Sequence, residues 1–361
     1  MKTLKVRVKE NPYPIFIGSG LLLRLGILLK KLKVGTDAVI VTNRPIRRLY
    51  EKQLTRALLA HGFSVKIFEV PDSEKSKSAG VAFRLIGQIA AYDTKKRIFV
   101  IAFGGGVVGD LAGYVAAVYK RGVPYVQVPT TLLAQIDSAI GGKVAIDLPV
   151  GKNLVGAFYQ PKAVISDVSL LRTLSRRQIR NGLAEAVKYG VIKDARLFSF
   201  IEKNYRNIFN AYPPAMTALV LSCSKIKADV VHLDEKETKN IRTILNFGHT
   251  AGHAIETAGG YHRYHHGEAV ALGMRIAADM ACRLKVFPEK EKSRLNRLIS
   301  VLGLPGRLVG VNTNRILAAM AHDKKFKAGK NRFVLPVKIG KVKVVEGISE
   351  DVIRQALKAY R

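Results

Sequence analysis

The chain has 361 residues, of which 48% are hydrophobic and 24% charged, and its formal net charge at pH 7 is +33. This composition is that of a soluble globular protein with one large or two ordinary domains. No apolar run approaches the roughly 18 residues that a membrane span needs, and the alternating N-terminus lacks the apolar core of a signal peptide. Cys223 and Cys282 are too few for a disulfide framework, so we expect a cytoplasmic protein.

The excess of lysine and arginine raises the question of nucleic-acid binding. These residues are spread from Lys2 to Arg361 and do not gather into a tail or a block. The sequence has no tryptophan and no aromatic-rich basic strand of the kind that stacks bases. We therefore expect no nucleic-acid partner, although a basic field would help to attract a small substrate with several negative charges.

The first half of the chain alternates between two kinds of pattern. Strand-like runs at 4–9, 13–17, 38–42, 65–70, 97–103 and 124–129 alternate with helical patterns at about 20–33, 45–61, 78–92 and 107–119. Several strand-like runs are almost entirely apolar, as in strands that are buried on both faces of a parallel sheet. The pattern predicts an α/β domain with a Rossmann-like parallel sheet, and it places residues 71–77 in a ligand-binding loop.

From about Asp167 onward, helical periodicity dominates. Helices are predicted at 175–193, 197–207, 214–234, 245–258, 267–284 and 290–302, followed by a β-like piece at 332–339 and 341–345 and a last helix from Glu350. We therefore predict two domains with a cleft between them, an α/β domain at 1–166 and a mainly α-helical domain at 167–361.

A glycine-rich stretch between residues 103 and 152 is the candidate ligand-binding region. Gly104-x-Gly106-x-x-Gly109 matches the dinucleotide fingerprint after a strand and before a helix. The match is weak by itself, because it falls on the fifth strand-like run and no acidic residue follows about twenty positions later. A phosphate at the amino end of the helix and a tight turn without a ligand are both open. Lys143 and Lys152, which lie among the glycines, indicate an anionic ligand.

Histidines cluster between residues 249 and 266. His249 and His253 are four apart on one face of a predicted helix, and His266 follows. Spacing alone predicts a metal bound by His249 and His253, with His266 or a carboxylate as third ligand, whereas surface or capping histidines are the alternative. Glu185 and Lys188, three apart on another predicted helix, would by themselves indicate only a surface ion pair.

Together, these motifs resemble the 3-dehydroquinate synthase family, and the resemblance covers essentially the whole chain. In family order they are Gly104-Gly-Gly-Val-Val-Gly-Asp110, Arg121-Gly-Val, Val128-Pro-Thr-Thr131, Asp137-Ser-Ala-Ile-Gly-Gly-Lys143, Gly-Lys152-Asn153, Asn181-Gly-Leu-Ala-Glu185-Ala-Val-Lys188, Asn246-Phe-Gly-His249-Thr-Ala-Gly-His253-Ala-Ile-Glu256 and His266-Gly-Glu-Ala-Val270. The resemblance implies an N-terminal NAD-binding domain, a C-terminal metal- and substrate-binding domain, and a homodimer.

The resemblance also implies the cofactors and the residues that bind them. Glu185, His249 and His266 would be ligands of zinc, for which cobalt could substitute, and His253 would then contact the substrate. The implied NAD contacts are Asp72, Ser73, Glu74, Lys75, Ser76, Lys77, Gly106, Val107, Val108, Gly109, Asp110, Thr130, Thr131, Lys143, Lys152, Leu170, Leu171, Arg172 and Thr173.

The implied reaction converts 3-deoxy-D-arabino-heptulosonate 7-phosphate into 3-dehydroquinate and phosphate, a step of the shikimate pathway. It would proceed by transient oxidation by NAD, β-elimination of phosphate, re-reduction, ring opening and an intramolecular aldol closure. The implied catalytic residues are Asp137, Lys143, Lys152, Asn153, Lys188, Arg242, Asn246 and His253. The implied substrate contacts are Arg121, Lys143, Asn153, Lys188, Lys227, Arg242, Asn246 and His253, with Lys324 or Lys325. Whether the family's glutamate corresponds to Glu235 or Glu237 stays open.

Two other enzyme classes share parts of this pattern. Other sugar phosphate cyclases act on different sugar phosphates, but Lys227, Arg242, Asn246 and His253 suit a substrate that carries a carboxylate. Metal-dependent glycerol or alcohol dehydrogenases would be expected to consume NAD and to lack the motifs around Lys143, Lys152 and Glu185.

Overall fold

The computed structural model of the chain describes residues 1–321 and 331–361. Its strands are β1 (Lys2–Val6), β2 (Tyr13–Gly18), β3 (Asp37–Asn43), β4 (Ser64–Val70), β5 (Ile98–Gly104), β6 (Tyr125–Pro129), β7 (Lys143–Leu148), β8 (Gly151–Phe158), β9 (Ala163–Asp167), β10 (Arg332–Lys338) and β11 (Lys341–Glu346). The predicted substrate lysines Lys324 and Lys325 lie outside the described residues.

The helices follow the predicted periodicity closely. They are α1 (Leu25–Leu32), α2 (Arg44–Leu59), α3 (Ala79–Tyr92), α4 (Gly106–Val118), α5 (Arg176–Ile192), α6 (Ala195–Phe209), α7 (Pro213–Leu233), α8 (His249–Ala258), α9 (His266–Arg283), α10 (Glu289–Val301), α11 (Thr313–Ala321) and α12 (Glu350–Lys358). Sequence patterns missed α11 and the strands β7, β8 and β9.

A seven-stranded sheet in the order β1-β2-β9-β6-β5-β3-β4 forms the centre of the first compact unit, which comprises Met1–Leu174 and Asn210–Lys236. The six strands β2, β9, β6, β5, β3 and β4 are parallel to their neighbours in the sheet, and β1 pairs antiparallel with β2. Side chains of α1 and α2 pack on one face of the sheet and those of α3 and α4 on the other. The predicted Rossmann-like fold class is therefore confirmed.

The strand order creates a switch point beside β3. The chain runs from β3 to β4 on one side and then returns to place β5 on the other side of β3. In open parallel sheets, ligands bind outside the carboxyl ends of the strands at such a point. The three-glycine run begins where β5 ends, at Gly104, so it lies at this edge.

Two segments complete the first unit. The strands β7 and β8 form an antiparallel hairpin, and α7 packs against β1 and β2. Sequence reasoning assigned α7 to the helical domain, whereas the compact units divide the chain at 174, 209 and 236.

The second compact unit comprises Ser175–Phe209 and Glu237–Arg361 and is mostly helical. Its central element is α9, which is buried almost continuously from Gly267 to Ala281 and contacts α5, α8, α10, α12 and β10. Within the described residues, no helix has the length and apolar composition that crossing a bilayer demands.

Candidate functional site

The predicted NAD-binding segments follow the carboxyl ends of four parallel strands. Residues 72–77 come after β4, residues 106–110 after β5, residues 130–131 after β6, and residues 170–173 after β9. Because these strands run parallel in one sheet, their carboxyl ends share one edge. The fold thus brings together segments that are distant in sequence, at the edge where a dinucleotide binds in proteins of this architecture.

The glycine run allows close packing at the start of α4. A Cβ atom at Gly104 would lie 2.6 Å from Cβ of Val108, and one at Gly109 would lie 2.9 Å from Oε1 of Gln127. These glycines let α4 begin directly at the end of β5. The first-turn amide groups of α4 therefore lie at the edge of the sheet formed by the carboxyl ends of the strands. The amino end of a helix at this place favours an anion.

A buried lysine links three of the predicted ligand segments. Lys77 Nζ lies 2.7 Å from Oδ2 of Asp110 and donates a hydrogen bond to Oδ1 of Asn153. The hairpin is also tied to the loop after β4, because the Asp147 amide donates to the Lys77 carbonyl oxygen at 2.6 Å. Lys152 Nζ lies 3.8 Å from Oε1 of Glu74. Sequence reasoning treated Lys143, Lys152 and Asn153 as part of a glycine-rich binding stretch, and the structure places them on the strands of the β7–β8 hairpin.

Two of the predicted substrate residues have left-handed backbone conformations. The φ angles are +62° at Arg121 and +54° at Asn153. Asparagine tolerates this region better than arginine, and such conformations persist only where the surroundings hold them. The Asn153 amide is held by Oδ1 of Asp147 at 2.7 Å.

Asp137 and Lys227 form an ion pair within the first unit. Asp137 lies on a π-helical turn, Ala134–Ser138, and Lys227 lies on α7. The turn and the helix are joined further by a hydrogen bond from the Ser224 hydroxyl to the Gln135 carbonyl oxygen at 3.3 Å.

A group of three side chains in the second unit has the geometry of a metal site. The Nε2 atoms of His249 and His266 lie 3.4 and 3.5 Å from Oε1 of Glu185. One ligand atom from each residue lies within 4.8 Å of the other two. One carboxylate and two imidazoles suit a catalytic zinc, which takes three protein ligands and keeps an open position.

The two histidines that spacing alone would have paired belong to different groups of candidate metal ligands. His249 and His253 share a helix face, with ring centroids 5.3 Å apart. Among the described residues, however, His253 groups with Glu256 and His266, and His249 groups with Glu185 and His266. The spacing argument missed Glu185 because this residue lies on α5, far from the histidines in sequence.

The Glu185–Lys188 pair is buried and not a surface ion pair. The Glu185 side chain is 1% exposed and that of Lys188 2%. Burial alone would raise the pKa of Glu185, but the charges of Lys188 and His266 and hydrogen bonds from them hold it below its usual range. Burial would likewise lower the pKa of His266, but hydrogen bonds with Glu185 and Glu256 raise it to about 10. Lys188 and His266 therefore keep Glu185 ionised.

Contacts between α5 and the first turn of α9 set the position of His266. Asn181, one turn before Glu185 on α5, accepts a hydrogen bond from the Gly267 amide at its Oδ1 atom, at 2.5 Å. Arg177, one further turn back, forms two hydrogen bonds with Glu268, at 2.8 and 2.9 Å. Sequence reasoning quoted Asn181 within a motif but gave it no role.

The other predicted residues of the second unit lie on α8 and on the segment before it. Arg242 is buried, and its Nε lies 3.0 Å from Oε1 of Glu237. Glu235, which belongs to the first unit, accepts hydrogen bonds from the Lys9 amide at 3.3 Å and from the Gln160 side chain at 3.0 Å. Asn246 ends the short helical segment before α8, and His253 is exposed on α8.

Solved structures of sugar phosphate cyclases share this fold over nearly the whole chain. A 2-epi-5-epi-valiolone synthase from Streptomyces hygroscopicus, solved with NAD⁺ and Zn²⁺ bound, matches with a TM-score of 0.89 and 27% identity over 98% of both chains. A 2-deoxy-scyllo-inosose synthase, complexed with carbaglucose-6-phosphate, NAD⁺ and Co²⁺, matches with a TM-score of 0.89 and 25% identity over 100% of both chains.

Sequence comparison identifies the family within this class. Two family models match, 3-dehydroquinate synthase N-terminal over residues 67–181 and 3-dehydroquinate synthase C-terminal over residues 182–326. The 3-dehydroquinate synthase of Desulforamulus reducens is 45% identical over 97% of this chain and 98% of the relative. The 3-dehydroquinate synthase of Caldanaerobacter subterraneus is 46% identical over 98% of this chain and 99% of the relative. The chain belongs to the 3-dehydroquinate synthase family.

We predict that Gly267→Ala disturbs the metal group. A Cβ atom at Gly267 would lie 2.2 Å from the Asn181 carbonyl oxygen, so α9 or α5 must shift. Overpacking of this kind costs about 1–3 kcal/mol. We expect a lower free energy of unfolding in urea and a weaker affinity for Zn²⁺. Gly87→Ala is the control, because Gly87 lies inside α3 with open space around its Cβ position and should be neutral or gain up to about 1 kcal/mol. Unchanged stability in the Gly267 variant would contradict the packing argument.

The Lys77–Asp110 pair generates a pH prediction. Burial raises the pKa of Asp110 to about 6, although Lys77 acts in the opposite direction. The folded state then holds this proton more tightly than the unfolded state, so Asp110 contributes less to stability as the pH rises from about 4 to about 6. The free energy of unfolding of Asp110→Asn, measured in urea relative to the unsubstituted chain, should therefore increase over this window.

Asp37→Asn is the control for that experiment. A hydrogen bond from Ser64 lowers the pKa of Asp37 to about 2, so the contribution of this carboxylate is complete above about pH 4 and is lost only at lower pH. The stability difference of the Asp37 variant should stay constant between pH 4 and 6. If the stability difference between Asp110→Asn and the unsubstituted chain stays flat or falls over this window, burial does not raise the pKa of Asp110.

Proposed function

We propose that the protein is a 3-dehydroquinate synthase that converts 3-deoxy-D-arabino-heptulosonate 7-phosphate into 3-dehydroquinate and phosphate. Its relatives of that name align over nearly the whole chain at 42–46% identity. The observation that carries the proposal is the group of buried Glu185 with the partly exposed His249 and His266 in a chain of this family. The homodimer implied by the family resemblance and the cytoplasmic location expected from the low cysteine content stay predictions.

The metal group and its surroundings would bind the hydroxyl groups of the substrate. We propose that Glu185, His249 and His266 hold a zinc ion, which, when bound, supplies a Lewis acid that makes a substrate hydroxyl more acidic. Lys188 keeps Glu185 ionised, so the carboxylate is available as a ligand. In this proposal, Asn246 and His253 orient the substrate beside the metal.

NAD would bind at the carboxyl edge of the parallel sheet. When bound, it supplies a hydride acceptor that is restored before the product leaves, so it acts as a catalyst. The amino end of α4 supplies amide donors for the pyrophosphate, and Lys77 and Lys152 add positive charge near Glu74 and Asp110. Of the remaining predicted NAD contacts, Lys143 lies on β7 and the others lie on the segments after β4, β6 and β9.

The basic residues at the predicted substrate positions favour this function over that of other cyclases. Lys188 and Arg242 are almost fully buried, and Lys227 is largely buried. Each of them is paired with a carboxylate of the protein, Lys188 with Glu185, Arg242 with Glu237 and Lys227 with Asp137. The family resemblance makes the same three residues substrate contacts, and positive charge there suits a substrate whose carboxylate and phosphate are further anionic partners. A site built for such a partner rejects an analogue that lacks it by roughly 10⁴-fold. A sugar phosphate without a carboxylate should therefore be a poor substrate.

Turnover measurements with the heptulosonate 7-phosphate test the proposed function. We expect the purified protein, with Zn²⁺ and a trace of NAD⁺, to release many phosphates per NAD⁺ and to form the carbocyclic product. A chelator should abolish phosphate release and added Zn²⁺ should restore it, because the metal acidifies the substrate. Glucose 6-phosphate, which lacks the carboxylate, is the matched substrate control, with kcat/KM lower by about 10⁴-fold.

Two outcomes would contradict the proposal in different ways. Accumulation of one NADH per NAD⁺, with no phosphate released, would indicate a dehydrogenase. Efficient turnover of glucose 6-phosphate, but not of the heptulosonate, would indicate another cyclase.

A further inference from the structure

The two histidines of the metal group are held by different acceptors. His249 Nδ1 lies 3.2 Å from the Phe247 carbonyl oxygen, and His266 Nδ1 lies 3.3 Å from Oε2 of Glu256. In both rings, Nε2 is the nitrogen that faces Glu185. One histidine is thus held by a neutral backbone carbonyl and the other by a side-chain carboxylate.

These contacts fix which nitrogen can bind a metal. A neutral imidazole has one donor and one acceptor nitrogen, so a ring that donates through Nδ1 presents the lone pair of Nε2. Metal-binding histidines usually donate their other N–H to a carboxylate or a carbonyl, which fixes the tautomer and makes the ligand more basic. The arrangement around His266 has this form, and the Glu256 side chain is only 11% exposed.

Helix electrostatics give no other reason for a carboxylate at this position. Glu256 lies in the last turn of α8, where the helix dipole disfavours negative charge. His266 lies at the first position of α9, where the dipole disfavours a cation. A negative charge beside His266 offsets the unfavourable effect of the α9 dipole on a cation there, and a metal would bind at this place.

We propose that Glu256 is a positioning residue for the metal centre, which holds His266 with Nε2 toward the metal and strengthens metal binding through its charge. This inference rests on the proposed metal site and adds a residue to it. Sequence reasoning quoted Glu256 at the end of the His249 motif but gave it no role.

The test is the affinity of the full-length protein for Zn²⁺, measured by competition with a chelator in the absence of substrate and NAD. Glu256→Gln keeps the size of the side chain and a neutral acceptor but removes the charge, so we expect the dissociation constant to rise about tenfold. Glu256→Ala removes both, and we expect a rise of up to about 100-fold. The unfolding midpoint of the metal-free Gln variant should match that of the unsubstituted chain.

Two controls separate this role from others. Glu350→Gln makes the same change in net charge at an exposed position in the first turn of α12, and it should leave the Zn²⁺ affinity unchanged. His249→Ala removes a ligand of the proposed group and should abolish tight binding. If His249→Ala still binds Zn²⁺ tightly while Glu256→Gln does not, the metal occupies the other group, with His253 and Glu256, and the proposal is wrong.

The remaining outcomes are distinct. An unchanged dissociation constant for Glu256→Gln, or a loss of metal-free stability without a change in affinity, would overturn the positioning role while leaving the metal site intact. If the unsubstituted chain bound no Zn²⁺, the proposed metal site would fail, and this inference with it.

Discussion

A single buried carboxylate constrains the helical unit. Glu185 is almost completely excluded from solvent, and a carboxylate in such a place costs several kcal/mol unless opposite charge or hydrogen bonds compensate it. The compensation comes from Lys188 on α5, His249 on α8 and His266 on α9. Three helices must therefore pack in one relative arrangement before the charge of Glu185 is satisfied.

Glycines make that arrangement possible. A Cβ atom at Gly273 would lie 1.9 Å from the Gly248 carbonyl oxygen, so α8 and α9 meet with their backbones in contact. Gly267 does the same between α9 and α5. These approaches place the rings of His249 and His266 with centroids 5.3 Å apart, which longer side chains at the contacts would prevent. The geometry of the metal group thus depends on glycines that are not themselves metal ligands.

Periodicity predicted most of the fold, and the family resemblance supplied the candidate site. The buried strands and the amphipathic helices have clear patterns, so their existence followed from the residues. The β7–β8 hairpin was missed because its glycines and lysines are typical of a binding loop as well as of a short, exposed strand pair. Spacing placed His249 and His253 on one helix face correctly, but it could not show which nitrogen each ring presents, nor that Glu185 would lie beside them.

The division of the chain into compact units has a consequence for dissecting this protein. The backbone passes from one unit to the other at residues 174, 209 and 236, so neither unit is a single continuous segment. A fragment that ends at 174 would lack α7, which covers part of β1 and β2, and would expose apolar surface that the intact chain buries. Neither half can be expected to behave as an autonomous folding module, and separating cofactor binding from metal binding calls for point substitutions within the intact polypeptide.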